Sequence, residues 1–245
     1  ETLYLTLARK FATIGEYGIQ TEFYDERFVA PLWPITLSFF YKYGGEFIAF
    51  LFPSIISSLT VLVLYYLGKK LFNKKVGTYA ALFFLFNPAA ILFSTRMLTE
   101  NLGLLFFTIA IFALFAAAKT KWQIILFLIF AVLAGLTRYP LFVHGLAAFI
   151  MFVVLTKGWE IFKNKFFYVG ILVTLLILVP WFKFNLENFS NILGGPALQA
   201  SDAVFDAKTA VLYIPYLFLI LGPLFPFTFF GMRYQFDKRQ FLLPA

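Results

Sequence analysis

Cysteine is absent from the 245-residue sequence, and histidine occurs once, as His144. The first absence excludes disulfides, thiolate metal sites and cysteine nucleophiles in this chain, and the second excludes a metal centre built from several histidines. Charge is also scarce, because only 13% of the residues are Asp, Glu, Lys or Arg, against about 25% in an average soluble domain. The sequence also lacks a Gly-rich phosphate loop and a Ser-His-Asp set. It has no metal-ligand motif either, so we predict no metal-ligating residues.

Apolar side chains are what the sequence has in excess. They make up 62% of the chain, and 36 residues are Phe. No soluble core absorbs that much apolar surface, so the solvent of this chain is lipid. The net charge of +8 does not indicate nucleic acid, because the lysines cluster in short gaps between apolar runs rather than on one basic face. The composition therefore predicts a membrane protein.

Several apolar stretches approach the roughly 17 to 25 residues that a membrane-spanning helix needs. They are Phe47–Leu67, Gly77–Phe93, Leu102–Ala118, Trp122–Leu136, Leu141–Leu155, Phe166–Phe182 and Leu212–Met232. Tyr139-Pro140 divides one longer run, because proline interrupts the helical hydrogen bonds, and Asn87-Pro88 is expected to bend the second span. We predict an all-α, polytopic transmembrane bundle of about seven spans, a single transmembrane domain in which residues 1–45 form a loop and 46–245 form the bundle.

Basic residues are unevenly divided between the gaps, which predicts the orientation. Alternate gaps, beginning with the one that holds Lys69, Lys70, Lys74 and Lys75, contain 12 of the 20 basic residues but two of the 12 acidic ones. The positive-inside rule places these gaps in the cytoplasm of a multi-pass cell-membrane protein. The first loop is then external, with an amphipathic helix after Glu1 and a second interfacial helix stopped by Gly44-Gly45. Because no span precedes this loop, we expect the chain to be part of a longer one.

Charged residues at the expected external ends of the spans are the candidate functional residues. Arg96 and Glu100 lie between two apolar stretches, four residues apart, and Arg138 follows the stretch that ends at Leu136. Ionisable residues at the membrane are functional candidates by default. Plainer interpretations stay open: Arg96 and Glu100 can neutralise each other, and Arg138 can extend to lipid head groups.

Two further positions carry the same ambiguity. Lys183 and Asn185 follow the stretch that ends at Phe182, where Lys also serves as an ordinary interface anchor. His144, one turn into the helix after Tyr139-Pro140, is expected to pack in the core rather than act as a base.

Six segments, in order along nearly the whole chain, resemble the GT-C superfamily of polyprenyl-phosphate-sugar-dependent glycosyltransferases. The closest branch combines dolichyl-phosphate-mannose protein mannosyltransferases with bacterial aminoarabinose transferases. The segments are "ETLYLTLARKFATIGEYG", "PLWPITLSFFYKYGG", "LTVLVLYYLGKKLFNKKVGTYAALFFLFNP", "STRMLTE", "AGLTRYP" and "PWFKFN".

The resemblance implies an inverting transfer on the extracytoplasmic face, from a polyprenyl-phosphate-linked sugar to a hydroxyl group of a protein, lipid or glycan. Glu1 matches the second acid of the family's Asp-Glu pair, and the first, usually named as the base, would precede this chain. Glu100 matches an acidic position of the second external loop, so Glu1 and Glu100 are the candidate catalytic residues. The candidate substrate-binding residues are Arg9, Arg96, Arg138, Lys183 and Asn185.

The expected partners are the lipid-linked sugar, its acceptor and membrane lipids, without nucleic acid. No cofactor is predicted with certainty, and a divalent cation is left open. A multi-span transporter or lipid flippase is the alternative function, and a structural membrane subunit is the third. A transporter would place charge near the middle of the membrane on broken helices, whereas Arg96, Arg138 and Lys183 fall at the ends of predicted spans.

Overall fold

The computed structural model describes residues 2–16, 29–117, 120–156 and 158–189. Regular structure within these ranges is helical, without a β-strand, which confirms the all-α prediction. The helices are α1 Thr2–Ile14, α2 Leu32–Leu71, α3 Lys74–Leu85, α4 Pro88–Ser94, α5 Thr99–Ala117, α6 Gln123–Thr137, α7 Pro140–Thr156 and α8 Lys165–Phe189. A short 3-10 helix, Trp159–Lys163, joins α7 to α8.

Three helices of the described ranges, α2, α5 and α8, are long and apolar enough to cross a membrane. α3 and α4 together make a fourth candidate, bent by 63° at the break where α3 ends at Leu85 and Asn87 caps α4. The Asn87 side chain accepts hydrogen bonds from the backbone of Ala89 and Ala90, so the predicted bend is confirmed. α6 and α7 are shorter apolar helices. The chain is thus a helical membrane bundle, and the stretch Leu212–Met232 lies outside the described residues.

α2 consists of two helical pieces that meet at Gly45. Gly45 has φ 68° and ψ −168°, a conformation that essentially only glycine adopts. The first piece begins at Leu32 and corresponds to the predicted interfacial helix, and the second is the predicted first span. The glycine pair therefore ends the interfacial helix where the sequence indicated.

Small residues allow the helices to approach closely, as is usual in membranes. A Cβ on Gly77 of α3 would lie 2.5 Å from the carbonyl oxygen of Tyr65 on α2. A Cβ on Gly170 of α8 would lie 2.7 Å from Leu128 of α6. These positions fix which helices are neighbours at two crossings.

The two ends of the bundle differ in charge. α4 leads into Arg96 and α6 leads into Arg138, and we call this end the arginine end. At the opposite end, called the lysine end, Lys70 lies 4.7 Å from the centre of the Phe112 ring, and Asn164 binds the carbonyl oxygen of Lys121. A buried cluster including Ala8, Trp33, Leu37, Phe52 and Met97 packs α1 against α2 and α5 near the arginine end.

Candidate functional site

An ion pair between Arg138 and Glu100 lies at the centre of the arginine end. Nη1 of Arg138 is 3.1 Å from Oε1 of Glu100. Glu100 belongs to the first turn of α5, and Arg138 caps α6 in an extended conformation. The Glu100 side chain is 25% exposed, whereas the Arg138 side chain is 50% exposed. The carboxylate therefore neutralises the guanidinium from one side and leaves much of it accessible.

Gly103 allows the two halves of this pair to meet. It follows Glu100 by almost one turn of α5, and a Cβ there would lie 2.8 Å from Leu141 Cδ1 and 3.9 Å from Arg138 Cβ. The missing side chain lets α5 pack closely against the connection between α6 and α7. Pro140 starts α7 directly after this connection, so the predicted break at Tyr139-Pro140 positions Arg138.

Thr99 extends the ion pair, and the half-buried phenol of Tyr4 on α1 lies near it. Oγ1 of Thr99 donates to Oε2 of Glu100 at 3.2 Å. Burial raises the pKa of Tyr4; Thr99 and Arg138 oppose this rise, and the negative charge of Glu100 adds to it. The phenol is therefore protonated at neutral pH and can donate. Thr99, Glu100 and Arg138 thus form one polar network, with Tyr4 near it.

Arg96 lies in the turn between α4 and α5, and its side chain is exposed. Nδ2 of Asn101 donates to the carbonyl oxygens of Phe93 at 2.6 Å and of Arg96 at 3.3 Å, which fixes the turn. Met97, the next residue, is buried. Arg96 and Glu100 do not pair, because α4 ends at Ser94, so the interpretation of a self-neutralising pair is wrong.

Arg9 contacts α2 rather than the Arg138–Glu100 pair. Its guanidinium forms an ion pair with Glu46 and lies 5.6 Å from the centre of the Tyr41 ring. Glu46 directly follows the kink at Gly45, so this contact ties α1 to the start of the span. The expectation that Arg9 binds substrate stays a prediction, since its side chain is also 45% exposed.

Lys183 and Asn185 lie on α8, which continues to Phe189 instead of ending near Phe182. Nζ of Lys183 is 3.7 Å from Oε1 of Glu187, and both side chains are well exposed. Asn185 is 1% exposed. Both residues therefore lie within a helix that extends beyond the predicted stretch ending at Phe182.

The catalytic role of Glu1 and the possible need for a divalent cation remain predictions. Glu1 lies outside the described residues. Among the residues that the structure does describe, no group of three or more His, Asp or Glu side chains is arranged to hold a metal ion.

An apolar groove of about 330 Å³ opens between α1, the start of α2, α6 and α8. Its α6 wall includes Leu136, two residues before Arg138. Trp181 lines its α8 wall, with the Tyr139 ring stacked at 6.3 Å and the Phe184 ring at 5.2 Å. The remaining lining residues are Phe11, Pro31, Leu32, Ile35, Leu133, Ile177 and Pro180. An apolar chain could lie in the groove with its head near Arg138.

The sequence alone did not indicate Tyr4, Thr99, Asn101 or Glu46. Their roles depend on contacts between distant segments, and only Asn101 carried a local signal, as an amide following the charged pair. The prediction for His144 is wrong, because the residue is exposed. Its Nδ1–H donates to the carbonyl oxygen of Pro140 at 2.7 Å. It is therefore not a packed core histidine.

Comparison with known proteins gives a match at the level of the family. The family model described as "Dolichyl-phosphate-mannose-protein mannosyltransferase" matches residues 25–184. The matched region includes Arg96, Glu100, Arg138 and Lys183, together with most of the apolar groove. No curated protein and no solved structure gives a significant match to the chain.

Proposed function

Because the chain belongs to the dolichyl-phosphate-mannose-protein mannosyltransferase family, we propose that it transfers a sugar from a polyprenyl phosphate to a hydroxyl group. The transfer inverts the anomeric carbon and takes place on the extracytoplasmic face of the cell membrane. The observation that carries this proposal is the apolar groove whose α6 wall leads to Arg138. A lipid phosphate needs an apolar channel for its chain and a cation for its head, and the arginine end offers both.

The proposed reaction exchanges one bond at the anomeric carbon for another. The acceptor oxygen attacks this carbon and forms the new glycosidic bond. The bond from the same carbon to the phosphate oxygen breaks, and the lipid phosphate leaves with the electron pair. The acceptor proton passes to a carboxylate of the first loop, where Glu1 is the acidic candidate in this chain.

Arg138 is proposed to bind the leaving phosphate. A planar guanidinium presents several donors to phosphate oxygens, and the half-exposed Arg138 retains donors that Glu100 does not occupy. Positive charge held in place before the reaction stabilises the developing phosphate charge. We assign Glu100 the task of orienting Arg138, and the remaining lone pairs of its partly exposed carboxylate are available to the sugar or acceptor.

The other predicted binding residues take less central positions in this proposal. Arg96 and Lys183 are exposed on the same end of the bundle and can meet the acceptor or the phosphate from its outer side. Arg9 stabilises α1 through Glu46, and Asn185 is buried on α8, close in sequence to the groove residue Phe184. We therefore expect Arg138 and Glu100 to dominate the kinetics.

A multi-span transporter or lipid flippase is the second candidate. The 63° bend between α3 and α4 favours it, because broken helices are typical of transporters. The residues at this break are Phe86, Asn87 and Pro88, none of which is ionisable. The charged residues lie at the arginine end instead, which favours transfer chemistry over a charged transport path.

The test is sugar transfer by the purified full-length protein in lipid nanodiscs. Radiolabelled sugars on polyprenyl phosphates are offered with peptide, lipid and glycan acceptors, and the labelled product is counted. We expect a labelled acceptor with the wild type, a loss of about 100-fold with Arg138→Gln, and no loss with Lys121→Gln at the lysine end.

Two outcomes would contradict the proposal. The first is the absence of a labelled acceptor for every donor, and the second is an unchanged rate in Arg138→Gln. Movement of the lipid-linked sugar across liposome membranes without a new glycosidic bond would support the transporter instead.

A further inference from the structure

We propose that Ser54 of α2 is a positioning residue, which holds the end of α4 and thereby presents Arg96 to the phosphate of the lipid-linked donor. This inference rests on the proposed function and adds a component to its site. It assigns no chemical step to Ser54, which acts through the turn that follows α4.

Side chains bind the carbonyl oxygens at the end of α4. A helix end leaves its last four carbonyl oxygens without backbone partners inside the helix. Here each of the four accepts a hydrogen bond from a side chain. The pairs are Ile91 with Ser94, Leu92 with Thr95, Phe93 with Asn101, and Ser94 with Ser54. Two of the donors are local, whereas Asn101 reaches α4 from α5 and Ser54 reaches it from α2.

The two donors from neighbouring helices matter because apolar packing does little to place α4. None of the seven residues of α4 is buried. Contact with lipid does not fix a helix in position, because lipid tails are as apolar as the side chains that face them. Oγ of Ser54 donates to the carbonyl oxygen of Ser94 at 2.8 Å, and Nδ2 of Asn101 donates to that of Phe93 at 2.6 Å. The end of α4 is therefore held from two sides by directional contacts.

Arg96 is the cation that this arrangement presents. It follows Ser94 by two residues, its side chain is exposed, and Met97 directly after it is buried. A guanidinium suits a phosphate, and a cation that is held in place before the donor arrives loses less freedom on binding. Loosening the turn should therefore weaken donor binding, whereas the chemical step depends on Arg138 and Glu100.

The kinetic test compares Ser54→Ala, Arg96→Gln and the double variant in the full-length enzyme. We expect Ser54→Ala to raise KM for the lipid-linked sugar about threefold to fivefold, as for one hydrogen bond between membrane helices, with kcat within about twofold. A mere loss of folded enzyme would lower the apparent kcat and leave KM unchanged. Arg96→Gln should raise KM at least as much, and the double variant should match it, because Ser54 acts through Arg96.

Two serine variants serve as controls. Ser58→Ala removes a hydroxyl one turn further along α2, which donates to the carbonyl oxygen of Ser54 at 2.9 Å within the same helix. It is expected to keep the wild-type KM. Ser54→Thr retains the hydroxyl, and its added methyl group has room in the cavity of about 160 Å³ that Ser54, Ser58 and Ser94 line. It should keep KM within about twofold of the wild type.

Hydrogen–deuterium exchange gives a readout that does not depend on activity. In Ser54→Ala the amides of residues 95–98 should exchange about threefold faster, while those of α6 stay unchanged. An active wild type combined with an unchanged KM in Ser54→Ala, a double variant with a higher KM than Arg96→Gln, or unchanged exchange in this turn would overturn the positioning inference alone. A wild type without any transfer would overturn the proposed function, and the role of Ser54 in transfer with it.

Discussion

At the scale of single residues, Glu100 has two effects on Arg138, because it neutralises the cation and holds its orientation. Glu100→Gln keeps the shape and an acceptor for Thr99 but removes the charge that fixes Arg138. We expect kcat/KM to fall about tenfold, since a charge-assisted bond is worth about 1.5 kcal/mol or more. The measurement is the initial rate of sugar transfer at several donor concentrations.

The control for this change is Glu160→Gln. Glu160 pairs with Lys163 at 3.9 Å near the lysine end, and both side chains are exposed, so its removal should leave kcat/KM unchanged. Equal rates for Glu100→Gln and the wild type would show that Arg138 needs no partner.

Asn101 stabilises the turn that presents Arg96, and its removal tests whether this turn matters. Asn101→Ala removes the side-chain donor to the carbonyl oxygens of Phe93 and Arg96, which keep only their backbone donors. We expect the free energy of unfolding to fall by about 1–2 kcal/mol and transfer to slow at least threefold. Both are measured on the purified protein, by denaturation in mixed micelles and by the transfer assay.

Asn164→Ala separates the two effects of the Asn101 change. Nδ2 of Asn164 donates to the carbonyl oxygen of Lys121 at 3.0 Å, at the opposite end of the bundle. A similar loss of stability with a normal transfer rate is expected there. Slowed transfer in both variants would mean that activity follows stability rather than the Arg96 turn.

The individual site residues were easier to predict than their partners. Arg138 and Glu100 stand out because charge is costly beside long apolar runs. Their pairing does not follow from the spacing, which favoured Arg96 with Glu100 at i and i+4. α4 ends at Ser94 and α5 begins at Thr99, so Arg96 and Glu100 do not lie on one helix. Gly103 instead allows Arg138 to approach Glu100. Contacts between distant segments require the folded bundle.

At the scale of helices, hydrophobic periodicity and proline positions predicted more of the structure than they did for side-chain partners. The bend at Asn87-Pro88 and the break at Tyr139-Pro140 lie where the sequence places them, because each combines a lost backbone donor with a local cap or turn. The end of α8 was not predicted, because the apolar stretch ends at Phe182 whereas the helix, with Pro180 inside it, continues to Phe189. Proline reliably marked a helix start here, but it did not mark every helix end.

Gly45 determines the angle between the interfacial helix and the first span, and Gly45→Ala tests this role. A side chain at φ 68° and ψ −168° is strained, which costs about 1–3 kcal/mol. We expect the midpoint of thermal unfolding to fall and transfer to slow, because the kink places Glu46 beside Arg9. Both quantities are measured in the same detergent.

Gly145→Ala on α7 is the matched change. Its Cβ would meet only Ala131 Cβ at 3.3 Å, in ordinary helical backbone, so a small effect on unfolding is expected. An unchanged midpoint in Gly45→Ala would show that the kink can relax without cost.

At the scale of the whole molecule, the residues of the proposed reaction lie at one end of the bundle, and the other end has a structural role. The arginine end combines the ion pair, the fixed turn and the groove, whereas the lysine end carries cations without a comparable network among the described residues. Lysines on a cytoplasmic face stabilise orientation by attraction to anionic lipids. The arginine end would then face the compartment in which a lipid-linked sugar meets its acceptor.

This orientation can be tested with single cysteines, because the 245-residue chain contains none. Lys74→Cys at the lysine end and Thr95→Cys at the arginine end both replace exposed residues. A membrane-impermeant maleimide added to intact cells should label Thr95→Cys, and labelling of Lys74→Cys should require opened membranes. The expectation follows from the positive-inside distribution of the lysines. The reverse labelling pattern would place the arginine end in the cytoplasm, and the proposed extracytoplasmic transfer would then be wrong even if the enzyme is active.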